Sequence, residues 1–220
     1  MVERIFEAGC GRVQFWRRLT TNYTGRSTAE QEHKTNTSVT DLSKDPLINA
    51  VHNGIKRGIR VTLENDCLGP AVILILSGID AMAYLAMPAT QNDVIRDDFV
   101  TWVEQFIKFP CKEQVTGLDL YGARCAMLHN YGTASELSRK GKCRQVGYMD
   151  KSVPEVRFNR NISKDLVLVS VPALGDAFFS GMDKFLVDLF TDKKKASIAE
   201  RRLRTLIQAI PPKKENKGAV

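Results

Sequence analysis

Leu68-Gly69-Pro70-Ala71-Val72-Ile73-Leu74-Ile75-Leu76-Ser77-Gly78-Ile79, followed at once by Asp80, is the most apolar stretch of the chain, and its reading decides the fold. Pro70 is suited to the first turn of a helix, and the apolar pattern continues to about Ala86 before Met87-Pro88 ends it. Spanning a bilayer takes about 20 clean residues. This run is shorter and carries a carboxylate, so no membrane partner is expected. A helix apolar nearly all round belongs in the centre of a bundle.

The flanks supply helices to surround it. Upstream, Asp45-Pro46 offers an N-cap and a first-turn proline, with Leu47, Val51, Ile55 and Ile59 following at helical spacing. Gly54 and Gly58 either weaken that helix or admit a close neighbour, and His52 on it is expected to face solvent. Downstream, a helix over about Asp93 to Lys108 gathers Phe99, Trp102, Val103, Phe106 and Ile107 on one stripe. Asp93, Asp97 and Asp98 stand near its start, where the helix dipole favours anions. After Pro110, Thr116 and Asp119 have the spacing of a capping box. The next helix carries Leu118, Tyr121, Cys125 and Leu128, with His129 near its end and Gly132 as the expected stop.

Beyond the polar link Ser135 to Lys142, Arg144 to Met149 and Leu166 to Val171 alternate like strands. Pro154 and Asn159 to Asn161 between them predict a long hairpin loop. Pro172 opens a fifth helix to about Phe190, and a last amphipathic helix, Ala196 to Ile210, carries Arg201, Arg202 and Arg204. The expected fold is mainly α, a helical bundle with one small β-hairpin insertion. Residues 1–40 are polar and aperiodic and read as a disordered or loosely docked arm. Residues 41–192 form the helical domain, and 193–220 a basic C-terminal helix and tail ending in Pro211-Pro212-Lys213-Lys214.

At 220 residues the chain can bury one sizeable core, and 43% hydrophobic with 26% charged residues is ordinary for a globular domain. The formal charge of +7 permits nucleic acid as a partner without requiring it. Five scattered cysteines without a Cys-x-x-Cys argue against a disulfide framework and for a cytoplasmic location. Neither His33 nor His52 has Cys or Asp at ligand spacing, so no metal is expected. No Walker, Rossmann or Gly-x-Ser-x-Gly pattern is present, and no cofactor is inferred.

Chemistry concentrates in Tyr121-Gly122-Ala123-Arg124-Cys125-Ala126-Met127-Leu128-His129-Asn130-Tyr131. Arginine is a permanent cation that forks onto phosphate, and histidine is the side chain suited to moving a proton near neutral pH. Five residues turn an ideal helix by about 140°, so Arg124 and His129 do not point the same way on one helix. A frayed end at Asn130 or a second copy of the chain would bring them together. Tyr131 falls on the Arg124 face if the helix continues, and Tyr121 frames that side. Asp80, an acid on the most apolar helix, needs a partner, and Arg124 is the natural one.

Arg124-x4-His129 on an apolar helix resembles the motif of the HEPN superfamily (higher eukaryotes and prokaryotes nucleotide-binding). Ser77-Gly78-Ile79-Asp80-Ala81-Met82-Ala83 and Leu137-Ser138-Arg139-Lys140-Gly141-Lys142 are similar to segments of uncharacterised bacterial members. The resemblance covers about residues 45–190. It implies a metal-independent endoribonuclease, with His129 as general acid or base and Arg124 steadying the phosphorane. It also implies a homodimer with two motif helices facing each other, and membership of toxin–antitoxin or defence systems with an antitoxin or other protein partner. Cys125 stands where the family usually carries a polar residue. The alternative implied is a non-catalytic module that binds nucleotides, nucleic acid or protein. Arg201, Arg202 and Arg204 would grip RNA phosphates.

Overall fold

Asp45 caps the first helix as its sequence predicts, Oδ1 accepting from the Leu47 and Ile48 amides at 2.8 and 3.1 Å. The computed structural model of the chain describes residues 45–150 and 155–206. The predicted arm, 1–40, and the tail beyond 206 lie outside the described residues. The first rod begins as α1 (Pro46–Asn49), widens into a π-helix (Ala50–Lys56) and returns to α2 (Arg57–Glu64). Among the described residues nothing approaches the positions that side chains of Gly54 or Gly58 would occupy. Gly54 lies inside the π segment, where the hydrogen-bond ladder slips by a residue, in keeping with the weakening effect.

The central helix α3 (Leu68–Ala86) is followed by α4 (Arg96–Phe106) and α5 (Gly117–Asn130). Beyond them come α6 (Glu136–Arg139), β1 (Gln145–Met149), β2 (Val156–Arg157), β3 (Leu166–Ser170), α7 (Val171–Thr191) and α8 (Lys193–Leu203). By length and composition α3 is the one described helix able to cross a membrane, and half of its most apolar window is buried within the fold. Its inner face packs Ile75, Ile79, Met82 and Leu85 against α4 and α7. Gly78 permits the closest approach, since a Cβ there would stand 2.8 Å from the Phe178 ring. Phe178 in turn meets Trp102 edge-on at 5.8 Å, and Phe185 joins Trp102 and Phe106 at 6.0 and 5.5 Å. Each large side chain fully buried here stabilises the bundle by about 1.5–3 kcal/mol. α3 is not buried all round, however. Pro70, Leu74 and Ser77 are exposed, and Ile73, Asp80, Ala81 and Tyr84 are half-buried, leaving one open stripe.

The β region corrects the predicted hairpin. β1 pairs with β3 in parallel, Gln145 opposite Leu166 and Met149 opposite Ser170, while β2 runs antiparallel on the other edge of β3. The chain reverses between β2 and β3, where the Asn159 side chain accepts from the Asn161 amide at 3.0 Å. The asparagine-rich turn is thus genuine, but the strand it returns from is β2. β1, placed before that reversal, is left parallel to β3. Val167 and Val169 on the central strand are fully buried, as a strand paired on both edges requires.

α8 belongs to the same core: Ala199 is 0% exposed and Leu203 7%. Arg202 is 8% exposed, and its guanidinium donates to the carbonyls of Met87, Pro88 and Gln91 while lying 5.5 Å over the Tyr84 ring. It closes the C-terminal end of α3, where carbonyls lack helical partners.

Candidate functional site

Two devices set the motif helix α5 in place. At its start Thr116 Oγ1 accepts from the Asp119 amide at 3.1 Å and Asp119 Oδ2 accepts from the Thr116 amide at 3.0 Å, the capping box read from sequence. Asp119 also receives the Arg144 amide at 2.8 Å and the Arg144 Nε and Nη2 groups at 3.0 and 2.6 Å. That carboxylate is 2% exposed and fully engaged, so it latches α5 to the residue preceding β1. At the other end Tyr131, not Gly132, takes the left-handed conformation, with φ 51°. The Gly132 amide reaches Ala126 O at 3.2 Å and the Tyr131 amide Met127 O at 3.0 Å, a Schellman-type close. Tyr131 consequently leaves the helix and does not share the Arg124 face. Its hydroxyl instead occupies the space where a Gly69 side chain would stand.

Gly69 beside Tyr131 and Asp80 beside Arg124 fix α3 and α5 as antiparallel neighbours. Arg124 Nε donates to Asp80 Oδ2 at 2.9 Å, with 28% and 25% of the two side chains exposed. Burial raises the Asp80 carboxyl above its ordinary range, and the Arg124 hydrogen bond and charge draw it only part of the way back. For Arg124 burial acts against the cation, yet the bond and charge of Asp80 prevail and hold it firmly protonated. The bond uses Nε, so the far edge of the guanidinium is turned away from the carboxylate.

The burial pattern of α5 revises the geometric objection to the motif. Gly117, Asp119, Leu120, Gly122, Ala123, Ala126 and Met127 are buried, whereas Leu118, Tyr121, Arg124, Cys125 and Leu128 are half-buried and His129 is exposed. At about 100° per residue, these last six lie on one open arc, with Arg124 at one edge and His129 at the other. The two residues flank a single solvent-open face of about 140°. Among the described residues no hydrogen bond or ion pair holds His129. Asn130 is exposed beside it.

Tyr121 sits inside the arc, its ring edge-on to Phe99 at 5.6 Å. Over that ring, 5.6 Å from its centre, lies the guanidinium of Arg96 from the first turn of α4. Arg96 was not singled out by sequence reasoning. Its signal there is a cation opening a helix whose next two residues are acidic, against the preference of the helix dipole. Two pockets among the described residues, of about 300 and 330 Å³, are lined by neither Arg124 nor His129. The motif face is an open surface, suited to a long ligand or a second protein surface.

Other predicted residues are placed differently. Arg202 is no part of an exposed basic face, because its donors are spent on three buried-end carbonyls. Arg201 and Arg204 are exposed. His52 is turned inward rather than to solvent: Nε2 is buried 3.6 Å from Asp183 Oδ1, with Lys56 bonded to the same carboxylate at 2.9 Å. Burial, then Lys56 and Arg60, lower its pKa more than Asp183 raises it. Among the described residues no three His, Cys, Asp or Glu side chains gather closely enough to hold a metal ion.

No family model, no curated protein and no solved structure matches the chain.

Proposed function

We propose that the chain is a HEPN-like, metal-independent endoribonuclease working as a homodimer, with the open face of α5 as its active surface. The observation that carries this reading is the placement of Arg124 and His129 at the two edges of one solvent-open arc, with Asp80 anchoring the arginine. His129 takes the proton of a ribose 2′-hydroxyl as that oxygen attacks the adjacent phosphorus, or returns a proton to the 5′-oxygen as it leaves. The Arg124 guanidinium stabilises the charge of the five-coordinate phosphorus. The products are a 2′,3′-cyclic phosphate and a 5′-hydroxyl.

One copy presents one histidine, whereas attack and departure call for a base and an acid. A second copy supplies the other. Beside the motif lies an apolar surface suited to that role: Leu74, 39% exposed, with Ile73 and Ala81 on α3, and Leu128 and Cys125 on α5. Partner docking over this stripe would bring two Arg124–His129 faces together and exclude water from the reacting phosphate.

Cys125, in the middle of the arc, favours a second reading in which the face binds RNA without cutting it, since a thiol is a weak hydrogen-bond partner. The two readings separate in one assay. Purified protein in EDTA should cleave single-stranded RNA, and His129→Ala should abolish cleavage while retaining the wild-type circular dichroism and Tm. RNA binding without cleavage by wild type would select the binding module, and neither activity would sink both.

A further inference from the structure

We infer that Arg96 is an RNA-phosphate-binding residue of the α5 face, holding a backbone phosphate next to the one held by Arg124. The inference rests on the reading of that face as an RNA site.

Arg96 is exposed and makes no ion pair among the described residues; its one contact is the Tyr121 ring. Its place at the helix start works against folding, offset in part by the contact with Tyr121. It is the first residue of α4, where the dipole repels a cation, and the neighbouring acid that serves this helix end is Asp98, bonded to the Ile95 amide at 2.9 Å. Residues that break a local rule are the ones expected at working surfaces.

The geometry directs this cation to the motif. Phe99 fixes the Tyr121 ring from within the core, and the ring guides the Arg96 guanidinium over the open arc of α5. Tyr121 precedes Arg124 by three residues, about 4.5 Å along the axis, so the two guanidiniums flank the same tyrosine. Arg124 is matched by Asp80, so that pair adds no net charge to the face, and Arg96 adds a cation over the Tyr121 ring, with Asp97 and Asp98 beside it on α4.

The test uses the full chain carrying His129→Ala, so that RNA stays intact, and a fluorescent single-stranded oligoribonucleotide in EDTA. Adding Arg96→Gln should weaken binding by about ten-fold at low salt. It should also reduce the slope of log affinity against log salt by about 0.7, the value for one phosphate contact on a single strand. Tm should stay the same or rise, and Arg96→Lys should restore the salt slope. Unchanged affinity and slope in Arg96→Gln, with the parent binding RNA, would overturn this assignment alone. A parent that binds no RNA overturns the RNA reading of the face and the assignment with it.

Discussion

Arg124 on α5 and Asp80 on α3 are joined by a single 2.9 Å bond through Nε, and Cys125 also interacts with the same guanidinium. The carboxylate is held in a position where burial disfavours its charge. The bond sets the direction of the Arg124 side chain, and burial offsets part of what the pair adds to stability.

Asp80→Asn keeps the shape and removes the charge. Stability should move by no more than about 1 kcal/mol, while RNA cleavage falls. The folded carboxyl titrates above its unfolded value, so its contribution to stability is complete in acid and is lost as pH rises through the raised value. Urea unfolding of both proteins across pH 3 to 7 should show the difference shifting in favour of Asp80→Asn as pH rises. Undiminished cleavage would remove Asp80 from the site.

His129→Ala should leave stability within about 0.5 kcal/mol, since the side chain is exposed. Cleavage should fall by about 10²–10⁴-fold if it moves a proton. Mixing Arg124→Ala with His129→Ala protein should restore part of the activity if the site is shared between copies. Failure to complement, with mixed dimers shown by native mass spectrometry, would place each site within one chain.

His52 ties acid sensitivity to the π-helix. Its folded pKa is lowered by burial first and then by Lys56 and Arg60, against Asp183. The stability it contributes is present above about pH 6.5 and is lost as pH falls through the lowered value. His52→Gln should flatten the acid limb of the stability profile below about pH 6.5, measured by denaturant midpoints, and leave the neutral region nearly unchanged.

Arg202→Met should cost about 2–4 kcal/mol, because three carbonyls at the end of α3 lose their donor. Its effect on RNA affinity should be nil in any protein that remains folded. Arg201→Gln and Arg204→Gln should do the reverse if that helix touches RNA: small changes in Tm, and a reduced salt dependence of binding.

Tyr131 holds a left-handed backbone that costs about 1–2 kcal/mol for a side-chain-bearing residue. Tyr131→Gly relieves that cost and gives up the hydroxyl seat over Gly69, so the net change in stability should lie within about 1 kcal/mol. Lowered activity at unchanged Tm would identify Tyr131 as a frame for the site.

Much of this arrangement is legible in the sequence because it is local. Asp45-Pro46, the Thr116–Asp119 box and the Phe99, Trp102 and Phe106 stripe depend on neighbours within a few residues, and each appears as read. The Asp80–Arg124 pair was legible for another reason: a buried acid demands a cation, and few were at hand. What failed depends on remote parts of the chain. Arg202 and Arg201 are adjacent and chemically alike, and only the end of α3 determines that one is buried. The pairing of β1 was misread because the two-residue strand β2 is too short to announce itself. Tyr131 took the role predicted for Gly132 because the helix closes one residue early, over Gly69.

The parallel pairing of β1 with β3 has a kinetic consequence. Every rung joins residues twenty-one positions apart, so the ladder closes a longer loop than the β2–β3 pairing and is expected to form after it. Asp119 fastens α5 to Arg144 at the entrance of that late ladder. Local contacts are then expected to form the motif helix before the docking strand aligns it. Substitutions that slow sheet closure, such as Val167→Ala, should delay the appearance of RNA-directed activity during refolding more than they delay the gain of helix signal.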